Sequence, residues 1–269
     1  MKKNTVIAVA NQKGGAGKTT TAINVGVILR QKGYKVLLID LDPQNSLTTT
    51  YLKHEYDAEQ PTVSELMNSV INRQPVSIDA FICHNAVNDI DYIPSDIRLS
   101  NVERQLVITR CSETVLQRAF KKSDLNYDYI ILDCPPALSL LLYNALCAAH
   151  YVLVPVMAQI LALDGVPMLL DTITEVQENV NPDLEVLGYI ATVFEKQTKM
   201  SRDIEDTLKE NFGSKYWGYV SKSTGASLSS ETGRALSLYK DTRDNQKYTK
   251  LAKEYESIAD RIISITDNR

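Results

Sequence analysis

The sequence predicts an α/β fold in which a doubly wound, mostly parallel sheet carries helices on both faces. Short β-branched runs alternate with segments of helical period from end to end, an order typical of parallel strands joined by crossover helices. No Pro/Gly/Ser-rich linker and no repeat of fixed period divides the chain. With 269 residues, 44% of them hydrophobic, the chain can bury a full core. We therefore expect one domain over residues 1–269, with a C-terminal helix at about 245–266 packed on it.

Seven runs have the composition of strands. They lie at residues 6–10, 36–40, 91–94, 129–133, 151–156, 186–194 and, more weakly, 216–221. The first run is followed by a glycine-rich loop and a helical stretch to about Gln31. Ligands bind beyond the carboxyl ends of the strands in such a sheet, so the residues just after each run are candidates for a site.

One segment, residues 134–163, contains no Asp, Glu, Lys or Arg and is long enough to span a bilayer. Its prolines and polar residues divide it instead into a helix at 138–149, a strand at 151–156 and a turn. The interrupting residues are Pro135, Pro136, Asn144, His150, Pro155 and Gln159. A buried unit of a parallel sheet has this composition, so we expect no membrane span.

The overall composition gives no sign of nucleic-acid affinity, because the net charge is −4 and the isoelectric point is near 5.5. The four cysteines include no CxxC pair, and the three histidines show no metal-ligand spacing, which fits a reducing cytosol without a metal cage. The apolar stretch after Lys2 and Lys3 runs into a polar loop without a cleavage site. We therefore expect no signal peptide and a cytoplasmic protein.

A glycine-rich loop follows the first predicted strand, where a phosphate-binding loop belongs. Its glycines allow the backbone to curl, so that successive N–H groups face phosphate oxygens at the start of the next helix. Lys18 would add a positive charge there, and the Thr19 hydroxyl is placed to bind Mg²⁺. The residues that we expect to bind the nucleotide are Gly14, Gly15, Ala16, Gly17, Lys18, Thr19 and Thr20.

The loop departs from the common P-loop pattern, because Gln12 stands where that pattern has its first glycine. Lys13 adds a second lysine at the loop entrance, from which its side chain could reach a nucleotide bound by a neighbouring subunit. A glycine-rich turn with solvated lysines is the simpler interpretation, but the strand–loop–helix order favours phosphate binding.

Three carboxylates stand at the ends of two predicted strands. Asp40 and Asp42 close the strand at 36–40, and Asp133 closes the strand at 129–133 ahead of a Cys-Pro-Pro turn. A carboxylate near a γ-phosphate can orient or deprotonate water, and one near Mg²⁺ can hold the metal's water shell. An Asp at a strand end also serves as a helix N-cap. Three acids following a phosphate loop nevertheless favour a catalytic site.

With these residues, the sequence resembles the ParA/MinD family of P-loop ATPases, which has a deviant Walker A motif. The Lys-Gly-Gly-Ala-Gly-Lys-Thr run at 13–19 fits that motif, and the Asp-Leu-Asp-Pro-Gln run at 40–44 is similar to the switch of the ParA/Soj subgroup. The resemblance implies that Lys13 crosses a dimer interface, that Lys18 is the phosphate lysine and that Thr19 binds Mg²⁺. It also implies one role for each acid. Asp42 would activate water, Asp40 would support the metal, and Asp133 would be the Walker B acid.

The resemblance implies a function as well. Mg-ATP would drive homodimerisation and nonspecific DNA binding at the nucleoid, and slow hydrolysis, stimulated by a ParB-type centromere-binding protein, would release the DNA. The protein would thus segregate a plasmid, a mobile element or a chromosome. Two segments depart from the family pattern. Asn45-Ser46 replaces the usual Gly-Asn, and in the late loop at 221–226 only Lys222 matches a Pro-Arg-rich segment.

Nonspecific DNA binding requires a cationic surface. Residues 234–253 carry six basic side chains against Asp241 and Asp244, and a more dilute basic set lies at 196–222. Such runs are usually solvated helix faces, so both interpretations stay open. The candidate DNA-binding residues are Lys199, Arg202, Lys222, Arg234, Lys240, Arg243, Lys247 and Lys250. The phosphate loop begins about a dozen residues after Met1, so we expect no helix-turn-helix extension and no operator binding.

Other functions remain open. A membrane-positioning ATPase of the MinD kind would need a basic amphipathic C-terminal helix, but acids on the outer face of the last helix favour packing against the core. The apolar stripe of the last helix consists of Leu251, Tyr255, Ile258, Ala259 and Ile262. An ATP-dependent ligase or synthetase, such as the dethiobiotin or cobyrinate amidation enzymes, shares a similar loop and would need a small acid substrate. An electron-transfer ATPase would need cysteines in Gly-rich surroundings, which this sequence lacks.

Overall fold

The computed structural model describes residues 4–56, 60–123, 125–159, 165–239 and 246–267. Eight strands in these residues form one sheet: β1 (Thr5–Val9), β2 (Val36–Asp40), β3 (Cys83–Asn85), β4 (Ile90–Ile93), β5 (Tyr129–Asp133), β6 (Tyr151–Met157), β7 (Glu185–Phe194) and β8 (Tyr216–Ser221). Their order across the sheet is β3-β4-β2-β5-β1-β6-β7-β8, and every neighbouring pair except β3 and β4 is parallel. The predicted doubly wound, mostly parallel sheet is therefore confirmed.

Helices cover both faces of this sheet, as predicted. In the described residues they are α1 (Lys18–Gln31), α2 (Val63–Ile71), α3 (Leu99–Leu106), α4 (Val115–Lys121), α5 (Leu140–Ala148), α6 (Gly165–Asn179), α7 (Lys199–Phe212), α8 (Thr224–Thr232) and α9 (Gln246–Thr266). Helices α2 to α7 pack on one face around strand residues such as Ala8 and Ile39. Helices α1 and α9 pack on the other face, around Ile7 and Leu38. Alternate residues of each strand thus supply two apolar cores.

The seven predicted strands all occur, each with its ends within one residue of the prediction. The sequence did not predict β3, a three-residue antiparallel strand at the edge of the sheet, in which Cys83 pairs with Tyr92. Its Cys-His-Asn sequence has no β-branched residue and no apolar alternation. Main-chain pairing with β4 forms this strand, and such pairing leaves no side-chain pattern in the sequence.

Helix α9 packs in the same apolar core as α1. All five residues of its predicted apolar stripe are buried, and they belong to the same core as α1. The uncharged segment after residue 134 forms α5 and β6, close to the predicted helix at 138–149 and strand at 151–156. Across the described ranges, no helix combines the length and the apolar character that crossing a bilayer requires.

A buried carboxylate fixes the start of α2. Thr62 caps the helix and forms a capping box with Glu65. Asp96 accepts hydrogen bonds from the Thr62 hydroxyl (2.8 Å), the Ser64 hydroxyl (3.1 Å) and the Arg98 guanidinium (2.5 Å). Burial alone would raise the pKa of Asp96, but these hydrogen bonds outweigh it and hold the pKa below its usual value.

We expect Asp96→Asn to lower the free energy of unfolding by about 2–3 kcal/mol at neutral pH, because charge-assisted hydrogen bonds of a buried group are lost. The pKa of Asp96 is lower in the folded state than in the unfolded state. Its carboxylate therefore stabilises the protein fully at a pH above the unfolded-state pKa, and this stabilisation is lost as the pH falls through the folded-state pKa. Urea unfolding should therefore show a large difference from the wild type at pH 7 and a smaller one below pH 4. The matched control is Asp89→Asn, which removes an exposed pair with Arg30 and should cost less than about 1 kcal/mol. An equal loss for both variants would contradict the prediction.

Candidate functional site

The glycine-rich loop connects β1 to α1 at the carboxyl edge of the sheet, where the sequence predicts phosphate binding. Gly17 directly precedes α1 in a left-handed conformation, with φ of +81°, which a residue with a side chain would adopt only under strain. The Lys18 side chain is buried, and its Nζ donates a hydrogen bond to the Lys13 carbonyl oxygen at 3.2 Å. The loop therefore curls around the lysine that the sequence assigns to the phosphates.

Two side chains that the sequence analysis did not single out anchor this loop to neighbouring strands. Buried Asn11 donates from Nδ2 to the Pro155 carbonyl oxygen (2.6 Å), and its Oδ1 accepts from the Lys13 N–H (2.9 Å). Thr192, at the end of β7, donates from Oγ1 to the Ala16 carbonyl oxygen (2.9 Å). Asn11 lies next to the motif in the sequence, and its polar side chain was a signal that it belongs to the loop. Thr192 is 176 residues from Ala16, and nothing in the sequence marks it as a partner of the loop.

The three predicted acids converge beside the loop. Strand β5 lies between β1 and β2, and Asp133 is paired in register with both Val9 and Asp40. The buried Asp40 carboxylate accepts from the Thr48 hydroxyl (2.7 Å), the Thr48 N–H (3.0 Å) and the Asp42 N–H (3.0 Å). Asp42 is half-buried and accepts from the Gln44 N–H at 2.9 Å. The carboxylates therefore share one edge of the sheet with the phosphate loop.

Burial shapes the electrostatics of this cluster. Loss of solvation raises the pKa of Asp40 to about 6, and it raises the pKa of Asp133 well above the usual value, with a further rise from the Asp40 charge. The pKa of Asp42 is also raised by burial. Burial lowers the pKa of Lys18, and the nearby Asp133 carboxylate only partly opposes this. Lys18 thus lies near two incompletely solvated acids, Asp42 and Asp133, and Asp40 lies beside them.

The cluster suits a divalent cation that also binds phosphate oxygens. Both carboxylate oxygens of Asp133 are buried without a well-formed hydrogen bond, and the nearby Thr19 hydroxyl only partly offsets the rise of its pKa. Among the described residues, no three His, Cys, Asp or Glu side chains converge closely enough to hold a metal by themselves. A cation here would therefore need further oxygen ligands, which a nucleotide and water can supply.

A cavity of about 560 Å³ adjoins the phosphate loop. It opens between the loop, the ends of β7 and β8, and α9, and the late loop at 221–224 forms one wall. Its lining residues include Gly17, Thr20, Val193, Lys222, Ser223 and Tyr255. Glu254 of α9 fixes this wall, since its carboxylate accepts from the Ser221 N–H and hydroxyl, both at 2.7 Å. Because it adjoins the phosphate loop, this cavity is the candidate site for a nucleotide base.

The basic residues are only partly brought together. Lys199 and Arg202 are exposed on α7 and Lys222 is exposed after β8, so they follow the carboxyl ends of adjacent strands. Lys222 forms an ion pair with Glu195 at 2.8 Å. Arg234 is exposed after α8, and Lys250 on α9 lies 3.9 Å from Glu254. Lys240, Arg243 and the Lys247 side chain lie outside the described residues.

Most of the chain is similar to known proteins. A family model described as an AAA domain matches residues 4–186. The sporulation initiation inhibitor protein Soj of Bacillus subtilis is 36% identical over 251 residues, which cover 93% of this chain and 97% of Soj. A Cyanothece McdA variant solved in complex with ATP has a TM-score of 0.85 at 26% identity, covering 97% of both chains. Cobyrinic acid a,c-diamide synthase from Mycobacterium smegmatis, solved with an ATP analog and magnesium, has a TM-score of 0.80 at 32% identity, covering 99% of this chain and 98% of that one.

Proposed function

The chain belongs to the ParA/Soj-type P-loop ATPases, and on that premise we propose that it is a partition ATPase whose Mg-ATP-bound dimer binds DNA without sequence preference. One arrangement carries the proposal. The phosphate loop, the three carboxylates and the exposed cations Lys199, Arg202 and Lys222 all lie at or after the carboxyl ends of strands in one sheet. A nucleotide and a DNA backbone would therefore meet the same edge of the molecule, where binding of one can change binding of the other.

The site residues have distinct proposed roles. The main-chain N–H groups of residues 14–20 and the Lys18 ammonium bind the phosphates. Thr19, Asp40 and Asp133 hold the metal, and Asp42 orients and deprotonates the attacking water. When bound, Mg-ATP supplies an electrophilic phosphorus and a divalent charge that offsets the buried carboxylates. The cavity walled by Val193 and Ser223 takes the base.

Dimerisation is the proposed role of Lys13. Its N–H is held by Asn11 and its carbonyl oxygen by Lys18, so the residue is fixed on the main chain at the loop entrance while its side chain remains half-exposed. In a face-to-face pair of chains, this lysine would reach the phosphates bound by the partner. We propose that residues 1–269 act as one ATPase unit, that a ParB-type protein stimulates its slow hydrolysis, and that it works in the cytoplasm on the nucleoid.

The decisive experiment measures binding of the purified protein to random-sequence duplex DNA with ATP, with ADP and without nucleotide, at two salt concentrations. If the protein is an ATP-gated DNA clamp, DNA binding requires ATP, weakens as the salt concentration rises, is lost in Lys18→Ala and persists in Asp42→Ala. Stimulation of hydrolysis by DNA together with a ParB-type partner would support the release step. Absence of DNA binding in every nucleotide state would overturn the proposal.

A charge-reversal pair on α7 tests where the DNA binds. We expect Lys199→Glu combined with Arg202→Glu to weaken ATP-dependent DNA binding at least about tenfold and to flatten its salt dependence, because two phosphate contacts are lost. Lys209→Glu is the matched control on the same helix, since Lys209 is already paired with Glu205 at 2.9 Å. Filter binding across a salt series measures both effects. Equal losses in the two variants would place the DNA contact elsewhere.

The main rival is an ATP-dependent amidating enzyme, which the likeness to the Mycobacterium smegmatis synthase favours. It predicts ATP turnover that rises with cobyrinic acid and an ammonia donor and that does not respond to DNA. A MinD-like membrane ATPase has less support, because the apolar stripe of α9 is buried against the α1 side of the sheet. Vesicle sedimentation with ATP distinguishes it from the partition ATPase.

A further inference from the structure

The peptide bond between Ala16 and Gly17 lies at the centre of the phosphate loop, and its carbonyl oxygen is hydrogen-bonded to one distant side chain. The Ala16 carbonyl oxygen accepts a hydrogen bond from the Thr192 hydroxyl at 2.9 Å, and both residues are buried. A trans peptide is planar, so its C=O and N–H groups point in opposite directions. The Thr192 hydroxyl therefore turns the Gly17 N–H away from β7.

Thr192 itself is held firmly. It pairs with Met157 of β6 in the parallel sheet, and its carbonyl oxygen accepts from the Ala158 N–H at 2.9 Å. The next residue, Val193, has a left-handed φ of +53°, a strained conformation for a β-branched residue. Such strain persists only where the surrounding structure fixes the backbone. The end of β7 thus provides a rigid support for the loop.

The same strand ends also touch the loop through their apolar atoms. A Cβ placed on Gly17 would lie 3.4 Å from the Thr192 Cγ2 atom, and one on Gly15 would lie 3.0 Å from the Met157 Cε atom. The Thr192 methyl group therefore packs against the loop, while the hydroxyl holds the Ala16 carbonyl. These two contributions can be separated by substitution, because valine keeps the branched shape and serine keeps the hydroxyl.

We propose that Thr192 is a positioning residue for phosphate binding, whose hydroxyl preorganises the Gly17 N–H to donate to a phosphate oxygen. The inference rests on the proposed nucleotide site and adds a residue from the far end of the chain to it. A nest of main-chain N–H groups binds an anion only when all of these groups point towards it. If the peptide is free to rotate, the ligand must order it on binding, and this ordering lowers the affinity for the ligand. A purely structural Thr192 would stabilise the fold and leave nucleotide affinity unchanged.

The test compares Thr192→Val with Thr192→Ser. We expect Thr192→Val to raise the Kd for Mg-ADP and Mg-ATP about tenfold in calorimetry, and Thr192→Ser to stay within about twofold of the wild type. Amide exchange of the segment at 14–20 in the nucleotide-free protein should be faster in the valine variant and normal in the serine variant. Thermal unfolding of both variants reports the structural effect separately. If Thr192→Val fails to fold, Thr192→Ala also removes the hydroxyl and takes its place.

The outcomes are distinct. Wild-type affinity in a folded variant without the hydroxyl overturns the positioning role, as does a loss in Thr192→Ser as large as that in Thr192→Val. A wild-type protein that binds neither nucleotide overturns the proposed function itself, whatever the variants do. Weakened nucleotide binding with faster exchange in the valine variant, together with recovery in the serine variant, establishes the role of the hydroxyl.

Discussion

Replacing Lys18 with alanine should weaken binding of Mg-ATP at least about a hundredfold and abolish hydrolysis. The ammonium is buried within the curl of the loop, where its nearest main-chain partner is the Lys13 carbonyl oxygen. Charge-assisted contacts to phosphate in such a site contribute about 1.5–3 kcal/mol each, and about 2.7 kcal/mol corresponds to a hundredfold change in Kd. Equilibrium binding of a fluorescent ATP analogue measures the effect directly.

The matched control is Lys32→Ala, just beyond the other end of α1. Lys32 pairs with Asp260 at the surface (2.9 Å), so its loss should leave nucleotide affinity unchanged. Lys18→Ala should also raise the pKa values of Asp42 and Asp133 further, because it removes the cation that lowers both of them. Wild-type affinity for Mg-ATP in folded Lys18→Ala would contradict the assignment of the phosphate loop.

Replacing Asp42 with asparagine should slow ATP hydrolysis about 10²–10⁴-fold while nucleotide binding stays within a few-fold of the wild type. Asparagine keeps an oxygen that can accept from the Gln44 N–H, so the local turn is preserved. What is lost is the ability to take a proton from water. Single-turnover hydrolysis, with and without DNA and a ParB-type partner, separates this chemical step from binding.

The control for Asp42→Asn is Asp79→Asn, an exposed acid just before β3. It removes the same charge from the chain and should leave the hydrolysis rate unchanged. Unaltered hydrolysis in Asp42→Asn would exclude Asp42 as the base and direct attention to the more deeply buried acids. Loss of ATP binding in the same variant would instead indicate a role in metal or phosphate binding.

Much of the site's location could be predicted because parallel strands end at one edge of the sheet. Once 6–10, 36–40 and 129–133 are identified as strands, the loop after the first and the acids after the others must lie near one another. In the structure, Asp133 pairs in register with both Val9 and Asp40, which places the acids directly beside the start of the phosphate loop. The alternation of strands and helices supplied the fold class in the same way, from local patterns alone.

The remaining features depend on contacts between distant residues. Thr192 meets Ala16 across 176 residues, and no local pattern marks a threonine in a strand as the partner of a loop carbonyl. The segment at 47–51 forms a π-helical turn, which places Thr48 against Asp40, although its Leu-Thr-Thr-Thr-Tyr sequence favours no such turn. The cavity wall at Ser221 likewise needs Glu254 from α9. Tertiary contacts decide these features, so the sequence could not predict them.

Helix α9 packs in the same core as α1, although it is synthesised more than 200 residues later. Translation is vectorial, so α1, which follows the phosphate loop, leaves the ribosome before α9. The apolar surface that Leu251, Tyr255 and Ile262 complete stays uncovered until the last helix has been made. A prematurely terminated chain would therefore carry the entire nucleotide-binding motif without its native support. The native packing of α1 is thus completed only in polypeptides that include α9.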